Sequence, residues 1–421
     1  MVKALAQRLW RAELSRHSFW MFLTQGLLVL MGVVLSVVVA RIFGQQGRGV
    51  FALATAVIAM AVQFGSLGLP SASTYALARG EQPLRLLLVN GFLSALGGSA
   101  LAIAAVLLWG WLWPQTLPVK GWLLVLTLAG IPGGLLFLYL RYFLLTLKRT
   151  SLANMAELAA RLATLAGAGV LWLWGGLSLL WLLGLQAAAL TLVCLWAYKH
   201  LYNLGEGATR PSLKVLRGQM GYGFKVFLAN VFMFMVLKID LLLVNHFMGE
   251  ASTGVYAVAM SFAELMQVLP VVVGTLLFPR LSAMSDTAQK ARLLQNALMA
   301  MAGLMLVGCG VMVVLIKPLV MLLYGADFMP AVVPFMVLLP AVWALGLNSL
   351  MMNFLASIGT PAMTTLAPLV AAVVNIVANV ILIPTHGLVG AAVASVISYG
   401  LMLLLTTAYY AHWRYMQRIP A

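Results

Sequence analysis

The chain has 421 residues, 63% of them hydrophobic and only 8% charged, with a net charge of +16 and a mean hydropathy of +1.04. Soluble domains carry about 25% charged residues, so a globular enzyme on a single anchor is excluded and a polytopic membrane protein is indicated. No polar segment is long enough for a soluble domain, and Cys194 and Cys309 stand alone in apolar runs without metal or redox spacing.

A basic start (Lys3, Arg8, Arg11, Arg16) precedes a first apolar run too long for a signal-peptide core. It reads as a short interfacial helix followed by a retained first span. Apolar runs then fall at 18–42, 50–78, 84–112, 121–147, 154–174 and 178–201. After a polar linker at 202–219 they resume at 220–247, 254–281, 289–316, 332–355, 363–383 and 389–412. Each run is long enough for a membrane helix, which predicts an all-α protein of twelve transmembrane helices. Gly and Pro mark the connections: GQQGRG at 44–49, Trp113-Pro114, Gly175-Gly176, Gly359-Thr360-Pro361 and 384–387.

Orientation follows from Lys and Arg in the loops. With the N-terminus inside, the cytoplasmic ends hold the basic start and Arg79, Arg85, Lys148, Arg149, Lys199, Arg210, Lys214, Arg217, Arg280, Lys290, Arg292, Arg414 and Arg418. The outer connections hold only Arg41, Arg48, Lys120 and Lys317, so both termini are expected in the cytoplasm. Trp109, Trp111, Trp113, Trp122, Trp172, Trp174 and Trp181 then gather at outer ends as an aromatic belt.

The halves are related. A shift of 205 residues lays Gly44, Gly49, Val50, Phe51 and Ala52 on Gly249, Gly254, Val255, Tyr256 and Ala257, and pairs Phe19 with Phe224 and Gln25 with Asn230. A shift of 211 pairs Gly176-Leu177 with Gly387-Leu388. This order predicts a duplicated transporter plan around a central cavity. The N-lobe would be 1–201, the linker 202–219, the C-lobe 220–412 and the tail 413–421.

A charge at mid-membrane costs about 2.5–3.5 kcal/mol on insertion scales, so the ones inside spans are the candidates. Arg141, Arg161, Lys225 and Lys238 are the bases; Glu157, Asp240 and Glu264 are the acids. Lys225 and Arg141 are close enough to the cytoplasmic ends to snorkel. Glu157 and Arg161 stand at i and i+4, which fits either a bracing ion pair or a polar wall on a watery cavity. Lys238 shares a helix face with Asn230 and Asn245, whereas Asp240 and Lys225 point the other way. Glu264 with Gln267, and Asn375 with Asn379, each share a face, and such Asn pairs commonly bond across helices. Gln25, Gly32 and Ser36, with Thr55, Ser66 and Ser73, would line the same cleft or serve close helix packing. The histidines have no partner at ligand spacing, so no metal site is read.

ARIFGQQGRGVFALATA at 40–56 resembles the first outer loop of bacterial polysaccharide flippases. TGVYAVAMSFAELMQVLP at 253–270 resembles their eighth helix, and NIVANVILIPTHGLVGAAVASVISY at 375–399 their C-terminal pattern. The chain thus resembles the polysaccharide transport and O-antigen flippase branch of the multidrug/oligosaccharidyl-lipid/polysaccharide exporter superfamily. That resemblance implies a non-enzymatic flippase of undecaprenyl-pyrophosphate-linked oligosaccharide in the bacterial inner membrane. It further implies a polysaccharide polymerase as protein partner, membrane lipids around it, and neither cofactor nor nucleic acid.

Surplus positive charge in a low-dielectric cleft attracts anions, which agrees with a diphosphate substrate. Arg161, Lys238, Arg141, Lys225, Asn230 and Gln25 are the expected substrate-binding residues; Glu157, Asp240 and Glu264 are expected in gating or ion coupling. No ATP-binding loop is present, so a proton gradient, a sodium gradient or product removal remains as the energy source. A drug antiporter of the same fold would need acids in its cavity. A glycan polymerase or ligase would need a large outer loop that the chain lacks.

Overall fold

The computed structural model describes the backbone of residues 2–205, 207, 210–359 and 361–417, and within these the side chains from residue 23 onward except residue 150. The basic start, His17, Phe19 and Arg418 therefore lie outside the described side chains. The elements in order are α1 (Val2–Gly65), α2 (Leu69–Ala78), α3 (Leu84–Leu112), α4 (Gly121–Thr146), α5 (Thr150–Leu173) and α6 (Leu179–Leu204). They continue with α7 (Leu213–Ala283), α8 (Thr287–Leu323), a 3-10 turn (Ala326–Ala331), α9 (Val332–Ser357) and α10 (Met363–Met416). Nine helices among the described residues are long and apolar enough to cross a membrane. No sheet is needed, because in lipid a helix satisfies its own backbone.

Three of these helices are bent back by one residue each. Gly44 has φ 66° and ψ −165°, Gly249 has φ 80° and ψ −179°, and Gly387 has φ 58° and ψ −138°. That region of backbone space is close to glycine-only. The chain reverses there with helix on both sides, where the sequence reading placed loops. Gly44 and Gly249 are the pair related by the shift of 205 residues. In the other pairing, Gly387 aligns with Gly176, but the positive φ falls on Gly175.

This geometry corrects one placement. Arg48, assigned above to an outer connection, lies inside the second leg of α1 and is only 7% exposed. Arg41 is exposed at the end of the first leg. The run 50–78 is also broken, at Leu67 (φ 47°) and Gly68 (φ 70°), after which α2 begins at Leu69 with Pro70 in its first turn. Proline tolerates a first helical turn because its missing N–H would be unpaired there anyway.

Packing largely respects the two halves of the chain. One core cluster gathers Leu87, Leu135, Tyr139, Phe143 and Leu201; another gathers Leu281, Leu294, Met301, Phe354 and Tyr410. A third carries Ala40, Ala52 and Ala56 onto Val244, Tyr256 and Phe335, joining the two sides. Trp111, Trp113, Trp122, Trp172, Trp174 and Trp181 are all exposed at the ends of α3 to α6, on one side of the bundle.

The halves touch backbone to backbone. A Cβ on Gly49 would stand 1.9 Å from the Glu250 carbonyl oxygen, and one on Gly254 would stand 2.0 Å from that of Gln45. These two contacts map onto each other under the same shift of 205 residues. Around them Gln46 Nε2 donates to Glu250 Oε2 at 3.0 Å, and Arg41 donates to the Leu322 and Leu323 carbonyls at 2.7 and 2.8 Å. Arg41 thereby caps the end of α8, where carbonyls have no helical partner. Gln45 Nε2 also donates to the Asp327 carbonyl.

The other end of the seam repeats the device. Gly68 meets Gly223, Ser73 donates to Gln219 at 3.1 Å, and Tyr75 stacks on Tyr222 at 4.7 Å. Since backbone cannot yield as a side-chain tip can, Gly254→Ala is expected to part the seam at the Gly49–Gly254 contact and to lower stability by about 1–3 kcal/mol. The check is a cysteine at Gln46 in a background without Cys194 and Cys309. It should react faster with an impermeant thiol reagent when Gly254→Ala is present, and an unchanged rate would refute the tight crossing.

Candidate functional site

Asp240 has the most enclosed position of the charged residues singled out, at 0% exposure. It sits on the first leg of α7, and its partners arrive from three other legs. Tyr256, past Gly249, donates to Oδ2 at 3.3 Å. Ser395, past Gly387, donates to the same oxygen at 2.5 Å, and Asn379 Nδ2 donates to Oδ1 at 3.0 Å. Asn375 accepts from Asn379 at 3.1 Å and donates to Ser398 at 3.1 Å. Three groups able to donate thus converge on the carboxyl from three legs. No base among the described residues pairs with it, and Asn379 Oδ1 is buried without a partner.

Two of the predicted bases are paired instead. Arg161 bonds Glu157 Oε1 at 2.7 Å and the Leu28 carbonyl at 2.9 Å. The second bond is possible because Gly32 has no side chain; a Cβ there would lie 2.9 Å from the guanidinium. The pair lines a cavity of about 220 Å³ with Thr164 and Gln186, among the helices of the first half. Lys238 Nζ donates to Glu264 Oε1 at 2.5 Å, joining the two legs of α7. Glu264 remains 55% exposed, so the pair is not sealed in. Lys238 and Asp240 thus occupy opposite sides of one helix. Each charge deep in a span costs less when paired, which accounts for both ion pairs without invoking a ligand.

Arg141 and Gln25 come together within the first half, on the side that faces the second. They line a cavity of about 130 Å³ with Asn154, facing Val271, Val272 and Thr275 of α7. Arg141 is exposed, and among the described residues it has no ion pair or hydrogen bond. Lys225 and Asn230 line none of these cavities; Lys225 is exposed and Asn230 half-buried. No group of three His, Cys, Asp or Glu side chains gathers among the described residues.

Arg48 is the residue the sequence reading missed. Its Nε donates to Ser36 Oγ at 3.0 Å and its Nη2 to Ser261 Oγ at 3.1 Å, with the Ala257 carbonyl at 3.5 Å. Ser36 shares a further hydrogen bond of 3.1 Å with Tyr324. The guanidinium therefore sits between the halves, buried, and its hydrogen bonds among the described residues go to neutral oxygens. The repeat relates position 48 to Thr253, which the structure likewise buries within the second leg of α7.

Known proteins agree with this architecture. The family of polysaccharide biosynthesis proteins matches residues 38–333. A probable low-salt glycan biosynthesis flippase of Haloferax volcanii is 22% identical over 396 residues, covering 89% of this chain and 78% of that protein. Among solved structures, the lipid II flippase MurJ in an inward closed conformation superimposes with a TM-score of 0.76 at 16% identity, over 93% of this chain and 87% of that one. A MATE transporter of Vibrio cholerae gives a TM-score of 0.68 at 14% identity, over 95% and 98%.

Proposed function

The chain belongs to the family of polysaccharide biosynthesis proteins, and from that premise we propose that it is a flippase for lipid-linked oligosaccharide. The cargo is a glycan on a polyisoprenyl diphosphate such as undecaprenyl pyrophosphate, moved from the inner to the outer leaflet of the cytoplasmic membrane. Counting the two legs of α1, α7 and α10 separately supports twelve crossings, and the distribution of Lys and Arg favours both termini in the cytoplasm. The lobes are 1–201 and 220–412, tied by 202–219, and they rock about their glycine contacts to alternate access.

The observation that carries this reading is Arg48, a buried base between the halves whose hydrogen bonds go to neutral oxygens. It has no ion pair among the described residues, Glu264 acting on it only through space. Arginine matches phosphate oxygens in a planar fork, and a dry setting strengthens that attraction. Arg141, near the opposite end of the seam and equally without an acid, supplies the receiving charge, helped by Gln25. The diphosphate passes from Arg141 inward to Arg48. Lys225 and Asn230 stand on the inner approach. Arg161 and Lys238 already share their charge with Glu157 and Glu264, so phosphate contact there requires an exchange of partners, which suits gating.

Asp240 is the coupling residue in this scheme. An ionised carboxylate buried without a base needs a counter-cation, and the unpaired Asn379 oxygen is a ready second ligand for a proton carrier or sodium. A drug antiporter shares the fold, and the same vesicles can test a cationic dye.

The test is proteoliposomes bearing a fluorescent undecaprenyl-diphosphate oligosaccharide, with a membrane-impermeant lectin reporting the exposed fraction. Translocation faster than in protein-free vesicles, slowed by Arg141→Ala, is the expected result. Wild-type protein that moves the dye and not the lipid would replace this reading with antiport.

A further inference from the structure

A cavity of about 590 Å³ lies outside the polar sites, between α1 and α3 of the first half and α7 of the second. That volume is in the range of pockets that enclose a whole ligand, about 300–1,000 Å³. Each helix lends it a single stripe at helical spacing. The stripes are Val57, Ala61 and Phe64; Ala102, Ala105 and Trp109; and Ile239, Leu242 and His246. Its polar atoms collect at one end, where Trp109 Nε1 donates to Thr116 Oγ1 at 2.8 Å and His246 is exposed. That is the end carrying the tryptophan belt.

We propose that this groove binds the isoprenoid tail of the transported lipid in the outer half of the membrane, an assignment that rests on the flippase reading above. The trough is apolar along its length and polar only at its mouth, which matches an amphiphile lying with its headgroup outward. Ala61, Ala102 and Ala105 leave notches between the bulkier Met60, Phe64 and Trp109. A chain with a methyl branch on every unit fills such notches, whereas a straight acyl chain does not, and dispersion contacts are lost across each unfilled gap. One wall belongs to each half of the chain, so the groove changes width when the halves rock. Its occupant is therefore taken up and released with each cycle.

The experiment uses the full chain in nanodiscs with two photoreactive probes, a diazirine-bearing undecaprenyl diphosphate and a phospholipid with the same diazirine. The polyprenyl probe should label peptides around Ala61, Ala105 and Leu242 several-fold more than the phospholipid does. Ala105→Trp places an indole in the trough at an exposed position, sparing the packed core. It should cut that labelling several-fold and slow oligosaccharide translocation in vesicles. Equal labelling by both probes, or undiminished polyprenyl labelling in Ala105→Trp, overturns the proposal. If the wild type labels as expected yet moves no oligosaccharide, the tail site stands and the transport reading falls.

Discussion

Asp240→Asn is expected to leave a folded protein whose transport no longer answers to an imposed proton or sodium gradient. The fold survives because the substitution removes a buried charge that costs about 2.5–3.5 kcal/mol at mid-membrane. What it gives up is of the same order, a partial weakening of three hydrogen bonds to a charged acceptor worth about 1.5–3 kcal/mol each. The new amide can turn its nitrogen to Asn379 Oδ1, the acceptor that now lacks a partner. Thermal stability should therefore hold or rise. Transport should fall by about 5- to 150-fold, the span of typical coupling energies. Asp240→Ala differs, since it strands the Tyr256 hydroxyl at about 1–3 kcal/mol, whereas Asn379 keeps Asn375 and Ser395 keeps the Ala391 carbonyl, so it should melt below Asp240→Asn. Initial rates with and without each gradient decide the matter. An Asn variant that keeps the wild-type gradient response removes Asp240 from coupling.

Arg48→Met should abolish most movement of the diphosphate lipid while preserving the packing of the seam. Methionine approximates the arginine stem, and exchange of a buried charge for an apolar side chain is often neutral for stability. The oxygens it leaves behind keep other partners: Ser36 retains Tyr324, and Ser261 donates to the Ala257 carbonyl at 2.8 Å. Hydrogen bonds from a charged donor are worth about 1.5–3 kcal/mol, or roughly 10- to 150-fold in rate if they act on the headgroup. Arg48→Lys should fall between, because a point charge replaces a planar fork. Translocation measured beside melting temperature separates the effects. Both variants running at wild-type speed would show that the guanidinium only braces the halves.

Much of the fold could be read from residue order, because apolar length and lipid leave a helix little alternative. Asp240 was legible for the same reason, as a carboxylate that an apolar run has no cause to contain. Asn375 and Asn379 were legible as a polar face on one helix. Their convergence on Asp240 was not, since Tyr256 and Ser395 approach only after the reversals at Gly249 and Gly387. Those reversals also hid Arg48. Three glycines in GQQGRG read as a loop, yet only Gly44 adopts a left-handed backbone, and the rest continue as helix. The pairing of Lys238 with Glu264 was out of reach too, because charge patterns along one helix do not reveal which leg lies opposite.

Tyr256 touches Asp240 and lies two residues beyond Gly254, where the halves meet main chain to main chain. Two residues are about 3 Å of helical rise. In the proposed scheme, a cation arriving at or leaving the carboxylate would therefore pull on the glycine contact directly, with no long relay to lose the stroke. The carboxylate's partner and the close contact of the halves share one turn of helix, so a bulkier side chain at either spot should slow transport without touching the cargo.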